Sequence, residues 1–304
     1  MTIDNFFRNL TVPSGKVDVI LDTDAYNEID DQFAIAYLLK SDYKLNTRAI
    51  CAAPFLNDKA TSVADGMARS YDEILHLLEL MDKSSLASSV YRGSESYMTD
   101  EKTPVDSDAA RFMAKLADEY SPEKPLYIVA IGAITNVASA ILMNPKMKEN
   151  CVIVWLGGKA HGYGADEFNM IQDIAAARVI FTCGVPTVQL PCKGVVDVFQ
   201  TSRYELEHFL LGKNKLCDYL VNYTVSDTEK ELPGKPWARV IWDVTAVAWL
   251  LNDGDRFMTS RIVHAPVPEY DGNYGFNDEQ PFMNCVRHIF RDELMDDLFT
   301  TLAK

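Results

Sequence analysis

The sequence predicts an α/β fold built on a single open, mostly parallel β-sheet flanked by helices, with a mainly helical C-terminal third. Apolar runs without polar alternation, such as residues 126–131 and 152–156, are typical of strands buried on both faces of a sheet. Each run is followed by apolar residues at helical spacing, and strands that alternate with helices indicate parallel pairing. Residues 1–304 are expected to form a single domain, because α/β folds reach this length as one unit and 48% hydrophobic residues supply a large core.

The predicted elements of the first half follow one another in strand–helix order. An apolar strand begins at residue 17, and a helix with apolar residues at helical spacing begins near residue 30. The apolar run 47–53 is followed by a long helical pattern over 59–81 and a short strand near 88–91. Residues 106–120 predict a helix, 126–131 a buried strand and 135–143 the next helix.

The alternation continues and then becomes less regular. Residues 152–156 predict a buried strand, 173–181 a helix and 187–190 a strand. Residues 201–228 are mostly helical in pattern. The segment 229–236, with its prolines and glycine, is typical of an exposed loop.

Composition limits the partners and the compartment. A net charge of −15 argues against nucleic acid, which needs basic patches, and favours a neutral or cationic small molecule over a heavily phosphorylated one. The six cysteines lack metal-type or redox spacing, which indicates reduced core thiols. No segment has the length of a membrane span and the first residues do not resemble a signal peptide, so we expect a cytoplasmic protein that does not bind membranes.

The densest group of acidic residues lies between the first strand and the first helix: Asp22, Asp24, Glu28, Asp30 and Asp31. In an open parallel sheet, ligands bind in the crevice beyond the carboxyl ends of the strands, where Asp22, Asp24, Asp30 and Asp31 are expected. Crowded carboxylates repel one another unless their pKa values rise or a cation holds them ionised. A hard divalent metal ion is the simpler explanation, and the cluster alone does not distinguish calcium from magnesium. Alternatively, Asp30 and Asp31 only cap the helix.

Three later segments place polar groups next to turns or helix starts. The turn at Ile131 is ordinary strand-to-helix chemistry, but a free carbonyl there is also a good calcium ligand. Glu167 and Asn169 end a glycine-rich loop that lacks a nucleotide fingerprint; they suit sugar hydroxyls, or alternatively form an Asx turn beside a surface acid. Trp242 and Asp243 stand at the start of an apolar helix. Trp242 is either a core aromatic or a surface on which a flat ring stacks, and Asp243 is either a helix cap or a ligand.

Together these segments resemble the nucleoside hydrolase family, the calcium-dependent, inosine-uridine preferring N-ribohydrolases. The matching motifs are Asp22-Thr-Asp24 with Asp30-Asp31, Ile131-Gly-Ala-Ile-Thr-Asn136, Glu167-Phe-Asn169 and Trp242-Asp243. Four motifs in the family's order are far more specific than any one of them. The resemblance implies hydrolysis of the N-glycosidic bond of ribonucleosides to ribose and free base, a bound Ca²⁺, and a homodimer or homotetramer.

The resemblance also implies a role for each matching residue, with Asp24 as the general base. The implied metal ligands are Asp24, Asp31, Asp243 and the carbonyl of Ile131. The implied substrate contacts are Asp30 and Asn169 on the ribose 2′ and 3′ hydroxyls, Glu167 on the 5′ hydroxyl, Asn57 as a looser sugar contact, and Trp242 at the base. Such residues suit cleavage through an oxocarbenium-like state, which gains from activated water and firmly held sugar hydroxyls.

Three departures from the family pattern are particular to this chain. Five residues, 25–29, separate Asp24 from the Asp30-Asp31 pair, where the family usually has three. The glycine-rich loop before Glu167 is shorter than usual. Trp242 stands where many members carry histidine, and since Trp has no group that titrates near neutral pH, help for the leaving base must come from stacking, solvent or another residue.

Two other functions stay open at this point. A haloacid-dehalogenase-like phosphatase also carries its nucleophile in an Asp-x-Asp after the first strand. Those enzymes favour Thr or Val after the second Asp, where this chain has Ala25. A phosphatase function would also leave the Glu167-Phe-Asn169 and Trp242-Asp243 segments unexplained. A non-catalytic nucleoside- or sugar-binding protein is the other alternative.

Overall fold

Twelve strands and twelve α-helices make up the computed structural model, which describes residues 1–304. The strands are β1 (Val17–Thr23), β2 (Leu45–Ala52), β3 (Val90–Tyr91), β4 (Leu126–Ala130), β5 (Cys151–Leu156), β6 (Thr187–Leu190), β7 (Gln200–Ser202), β8 (Ala238–Val240), β9 (Met258–His264), β10 (Val267–Pro268), β11 (Tyr274–Gly275) and β12 (Phe282–Ile289). The α-helices are α1 (Ile3–Asn9), α2 (Asp31–Lys40), α3 (Val63–Leu80), α4 (Asp108–Leu116), α5 (Thr135–Met143), α6 (Met147–Asn150), α7 (Phe168–Gln172), α8 (Ile174–Thr182), α9 (Arg203–Phe209), α10 (Lys215–Glu231), α11 (Val244–Leu250) and α12 (Arg291–Ala303). Short 3-10 helices cover Ser84–Ser89, Ala117–Glu119, Val196–Val198 and Asp253–Asp255.

Eight strands form one sheet in the order β3-β2-β1-β4-β5-β6-β12-β9. All neighbours in it are parallel except β12 and β9, which are antiparallel and put β9 at the edge. Two small antiparallel sheets, β10-β11 and β7-β8, lie outside it. The expected open, mostly parallel sheet flanked by helices is confirmed.

Alternate residues of the strands pack into two hydrophobic clusters, one on each face of the sheet. In β5, Val152 and Val154 belong to a cluster of 54 buried residues, while Ile153 and Trp155 belong to one of 33. Successive side chains of a strand point to opposite faces, so both faces of β5 are covered. This explains why the central strands lack polar alternation.

Most predicted elements match the structure closely, and caps account for several differences. The strand at 187–190 and the helix at 135–143 have the predicted bounds. Helix α3 starts four residues later than predicted, because the Ser62 hydroxyl accepts a hydrogen bond from the Asp65 amide and fixes the helix start there. Helix α10 runs to Glu231, so the predicted exposed loop begins only after that residue.

Helices exceed strands in the C-terminal third, as expected, but β9 and β12 were not identified from the sequence. β9 is an edge strand with mostly half-exposed or exposed residues, and it lacks the continuous apolar run of the central strands. β12 pairs with both β6 and β9 and extends the sheet. No helix of the structure has both the length and the apolar character needed to cross a membrane.

The register of the central strands brings their carboxyl ends to one edge. Asp22 of β1 lies opposite Ala130 of β4, and Ala130 lies opposite Trp155 of β5. In the next pair, Leu156 of β5 lies opposite Leu190 of β6. The loops that follow these four strands therefore start side by side, as expected for a ligand crevice.

Candidate functional site

A cleft of about 260 Å³ opens at this edge of the sheet. Eight of the nine residues predicted from the sequence line it, namely Asp24, Asp30, Asp31, Ile131, Glu167, Asn169, Trp242 and Asp243. The ninth, Asn57, does not line the cleft. Its side-chain amide donates a hydrogen bond of 2.7 Å to Asn27, which does line it.

An acidic cluster lies at the floor of the cleft. Each of Asp30, Asp31 and Asp243 offers a carboxylate oxygen, and these oxygens all lie within 4.8 Å of one another. Asp24 adjoins the cluster from the end of β1, and its buried Oδ2 atom has no hydrogen-bond partner in the protein. A Cβ added to Gly132 would lie 2.8 Å from Oδ1 of Asp24, so a glycine is needed for the turn to pass this close.

Helix capping does not account for the two adjacent aspartates. Asp30 occupies the N-cap position of α2, but its side chain makes no capping hydrogen bond. Oδ2 of Asp30 instead accepts a hydrogen bond of 3.2 Å from the backbone amide of Asp243. The Thr23 hydroxyl donates to Asp31 from the end of β1. These bonds connect α2, α11 and β1 at the cluster.

Burial and mutual repulsion disfavour the charged forms of these carboxyls. Burial raises the pKa of Asp31 to about 7. Burial, followed by the adjacent charge of Asp31, raises the pKa of Asp24 well above its usual range. The pKa of Asp243 rises for the same reason, with Asp30 as the largest repelling neighbour. An all-oxygen cluster of this kind fits a hard divalent cation, whose charge would offset the repulsion.

Asp22 was expected at the crevice, but it does not line the cleft, because its side chain is buried against Asn136. Its Oδ1 accepts a hydrogen bond of 2.8 Å from the Asn136 amide, which also donates to the carbonyl of Ala52. The Asn136 side-chain oxygen accepts hydrogen bonds from both the backbone amide and the hydroxyl of Ser94. Asn136 thus joins the ends of β1 and β2 to the loop after β3.

Asn169 and Glu167 line the cleft beside the ends of β4 and β5. The side-chain amide of Asn169 donates to the carbonyl of Ile131 at 3.2 Å and to that of Leu156 at 3.1 Å. The Glu167 carboxylate caps α7 by accepting from the amides of Asn169 and Met170, and it accepts a third bond of 2.6 Å from the Gly158 amide. Glu167 is therefore held rigidly, and an Asx turn with a surface acid does not describe this part of the cleft.

The longer loop over residues 25–29 is firmly attached to the protein. The carbonyl of Ala25 accepts a hydrogen bond of 2.8 Å from the Gln32 side chain. Glu28 forms an ion pair with Arg239 of β8 at 3.3 Å, and Arg239 also pairs with Glu231. The two extra residues therefore form an ordered part of the cleft wall.

Several residues that line the cleft were given no site role from the sequence: Asn27, Glu28, Leu156, Lys159, Asp166, Phe168, Cys192 and Lys193. Leu156 is the last residue of β5, and the others belong to the segments that follow β1, β5 and β6, so their position at or after the end of a buried parallel strand was the available signal. No histidine lines the cleft. His264 lies on β9 and its Nδ1 atom contacts the carbonyl of Gln280.

Curated proteins include relatives of this chain. The pyrimidine-specific ribonucleoside hydrolase RihA of Citrobacter koseri is 31% identical over 160 residues, covering 49% of this chain and 49% of that protein. The chain thus matches about half the length of this curated relative.

Among solved structures, the plant nucleoside hydrolase PpNRh1 aligns with a TM-score of 0.74 and 20% identity, over 94% of this chain and 99% of that one. The purine-preferring ribonucleoside hydrolase from Gardnerella vaginalis aligns with a TM-score of 0.74 and 18% identity, over 94% and 98%. Because these sequence identities are low, the structural likeness shows only that the fold is shared. The family model described as inosine-uridine preferring nucleoside hydrolase matches residues 19–278, so the chain belongs to that family.

Proposed function

We propose that this protein hydrolyses the N-glycosidic bond of ribonucleosides to ribose and free base, with a bound calcium ion. The observation that carries this proposal is the cluster of Asp30, Asp31 and Asp243 oxygens at the floor of a cleft, next to the unpartnered Oδ2 of Asp24. Family membership supports the same reaction class.

The proposed calcium ligands are the carboxylates of Asp24, Asp31 and Asp243 and the carbonyl of Ile131. Three of these residues are buried carboxylates whose pKa values are raised in the absence of a cation, and all four line one cleft. When bound, calcium would supply a positive charge that lowers the pKa of a coordinated water and holds the ribose diol.

The residues of the chain would divide the chemical step among them. Asp24 takes the proton from the attacking water, since its Oδ2 has no other partner. Asp30 and Asn169 hold the 2′ and 3′ hydroxyls and orient the ring, which favours the oxocarbenium-like state. Both side chains line the cleft in which the sugar would bind.

Three further contacts complete the proposed substrate site. Glu167 binds the 5′ hydroxyl through the lone pairs that its three amide bonds leave available. Asn57 acts through Asn27, because its own side chain does not line the cleft. Trp242, which is half-buried in the wall, offers its ring to the leaving base.

The organisation of the protein is proposed on similar grounds. Residues 1–304 are proposed to form one domain, because the two hydrophobic clusters pack on opposite faces of one sheet. A homodimer or homotetramer and a cytoplasmic location stay predictions, which light scattering and cell fractionation would check.

The test is a panel of nucleosides and a phosphate ester, each incubated with the protein in the presence of calcium. We expect free base and ribose to appear in equal amounts from at least one nucleoside, with no phosphate from the ester. Phosphate release without base release would indicate a phosphatase. Nucleoside binding by calorimetry without any base release would indicate a binding protein.

A further inference from the structure

Two lysines line the otherwise acidic cleft. Lys159 follows β5 and Lys193 follows β6, which are neighbouring parallel strands. Their loops stay paired beyond the strands, because the Cys192 amide donates to the carbonyl of Gly158 at 2.8 Å and the Ala160 amide donates to the carbonyl of Lys193 at 2.9 Å. The main chain therefore holds the two lysines side by side.

The two lysines have only one ion-pair partner between them. Lys159 is largely buried and pairs with Asp166, whose own side chain is 60% exposed. Lys193 is exposed and forms no ion pair within the protein. The single carboxylate partner is mostly exposed, so a phosphate can compete with it for Lys159.

The lysines lie on the Glu167 side of the cleft. The Gly158 amide, directly before Lys159, donates to Oε2 of Glu167. Glu167 is the residue proposed above for the 5′ end of the sugar. A substituent on the ribose 5′ oxygen would thus extend toward the two lysines.

We propose that the cleft also accepts ribonucleosides that carry a 5′-phosphate, with Lys159 and Lys193 as the phosphate-binding residues. This inference rests on the proposed ribonucleoside hydrolysis. The phosphate replaces the Asp166 carboxylate on Lys159 and gains Lys193 as a second partner, since lysine ammonium groups bind phosphate oxygens well. The water oxygen bonds to C1′, and the C1′–N bond breaks with its electron pair left on the base. One proton of the water goes to the base, and ribose 5-phosphate keeps the other in its C1′ hydroxyl.

The overall charge of −15 favours an uncharged substrate, and the lysine pair is a local exception to it. Exposed charges separated by more than about 8 Å are largely screened at physiological ionic strength. Distant surface acids therefore oppose a phosphate little, and the opposing charges that remain are the carboxylates that line the cleft, which a bound cation would partly offset. High salt should accordingly weaken cleavage of the phosphorylated substrate more than that of the nucleoside.

The test compares inosine with inosine 5′-monophosphate, using the full chain with calcium and following hypoxanthine release. The readout is the ratio of kcat/KM for the nucleotide to kcat/KM for the nucleoside. Lys193→Met should lower this ratio about tenfold, as expected for one lost charge-assisted contact. Lys193→Arg should retain it. Lys16→Met changes an exposed lysine at the amino end of β1, the opposite edge of the sheet, and should leave the ratio unchanged.

The sugar product is identified as ribose 5-phosphate or ribose, which excludes prior dephosphorylation by a contaminant. Cleavage of inosine with no cleavage of the nucleotide would overturn this inference and leave the proposed function intact. An unchanged ratio in Lys193→Met would also overturn it. Cleavage of neither substrate, together with no activity on the wider nucleoside panel, would overturn the proposed function and this inference with it.

Discussion

The side-chain amide of Asn169 donates a hydrogen bond of 3.2 Å to the main-chain carbonyl of Ile131. A residue proposed to hold the ribose is thereby joined directly to a carbonyl proposed to bind calcium. The same amide also contacts the carbonyl of Leu156, so it connects the ends of β4 and β5. Sugar binding and metal binding are therefore expected to depend on each other.

Asp24→Asn should abolish most turnover. The asparagine oxygen can still face the metal, but an amide cannot take a proton from water, so kcat should fall by about 10²- to 10⁴-fold. Ribose affinity, measured as product inhibition or by calorimetry, should change little. Asp82→Asn, in the exposed turn after α3, is the matched control. Turnover near that of the control would exclude Asp24 as the base.

The metal-free protein should lose stability as pH rises. Burial raises the pKa values of Asp22 and Asp31 to about 7 in the folded state, so the folded protein binds these protons more tightly than the unfolded chain. Their favourable contribution is fully present below about pH 4, the unfolded pKa, and is lost as pH rises through about 7. The melting temperature in chelator should therefore fall between pH 5 and pH 8, apart from the effects of other groups.

Calcium should remove the part of this slope that comes from the cluster. Asp22→Asn separates the two contributions, because Asp22 does not line the cleft and is not a proposed ligand. That variant should show a smaller slope in chelator and should still be stabilised by calcium. A melting temperature that does not respond to calcium at pH 8 would contradict the metal site.

Glu167→Gln should affect both the fold and the reaction. The glutamine side-chain nitrogen cannot accept the amide hydrogen bonds that the carboxylate accepts, so the start of α7 should weaken and the melting temperature should fall by a few degrees. The rate should fall as well, because binding energy from remote groups is used to reach the transition state.

A substrate change separates the two roles of Glu167. Removing the 5′ hydroxyl of inosine should cost the wild type more in kcat/KM than it costs Glu167→Gln. Equal losses in the two proteins would show that Glu167 only caps the helix. Asn169→Ala should lower both rate and affinity while leaving the response to the 5′ hydroxyl intact, which makes it the comparison variant.

Trp242→Ala should lose more turnover with inosine than with uridine. The larger purine ring offers more overlap with the indole, and no histidine lines the cleft to protonate the base. Trp242→Phe should fall between the wild type and the alanine variant. Steady-state rates for both substrates are measured beside a melting curve for each variant. Equal losses that follow stability would mean that Trp242 only packs against the core.

Much of the fold was predictable because the central strands are buried on both faces. Strands such as β5 then consist of continuous apolar residues, which are distinct in sequence from the helices between them. The strands β9 and β12 were missed because an edge position and mixed exposure remove that signal. The place of β12 in the sheet depends on pairing with β6, a contact between distant segments, and β9 joins the sheet through β12.

For the site, the sequence by itself determined which acidic and amide residues follow the buried strands, and the family to which their order belongs. Only the tertiary structure decided that Asp30 bonds to the Asp243 amide instead of capping α2, that Glu167 caps α7, and that Asn57 lies behind Asn27. It also placed Lys159 and Lys193 side by side. The physical reason is that local patterns record burial and turn chemistry, whereas contacts between loops depend on strand order and register, which bring together residues that are far apart in the chain.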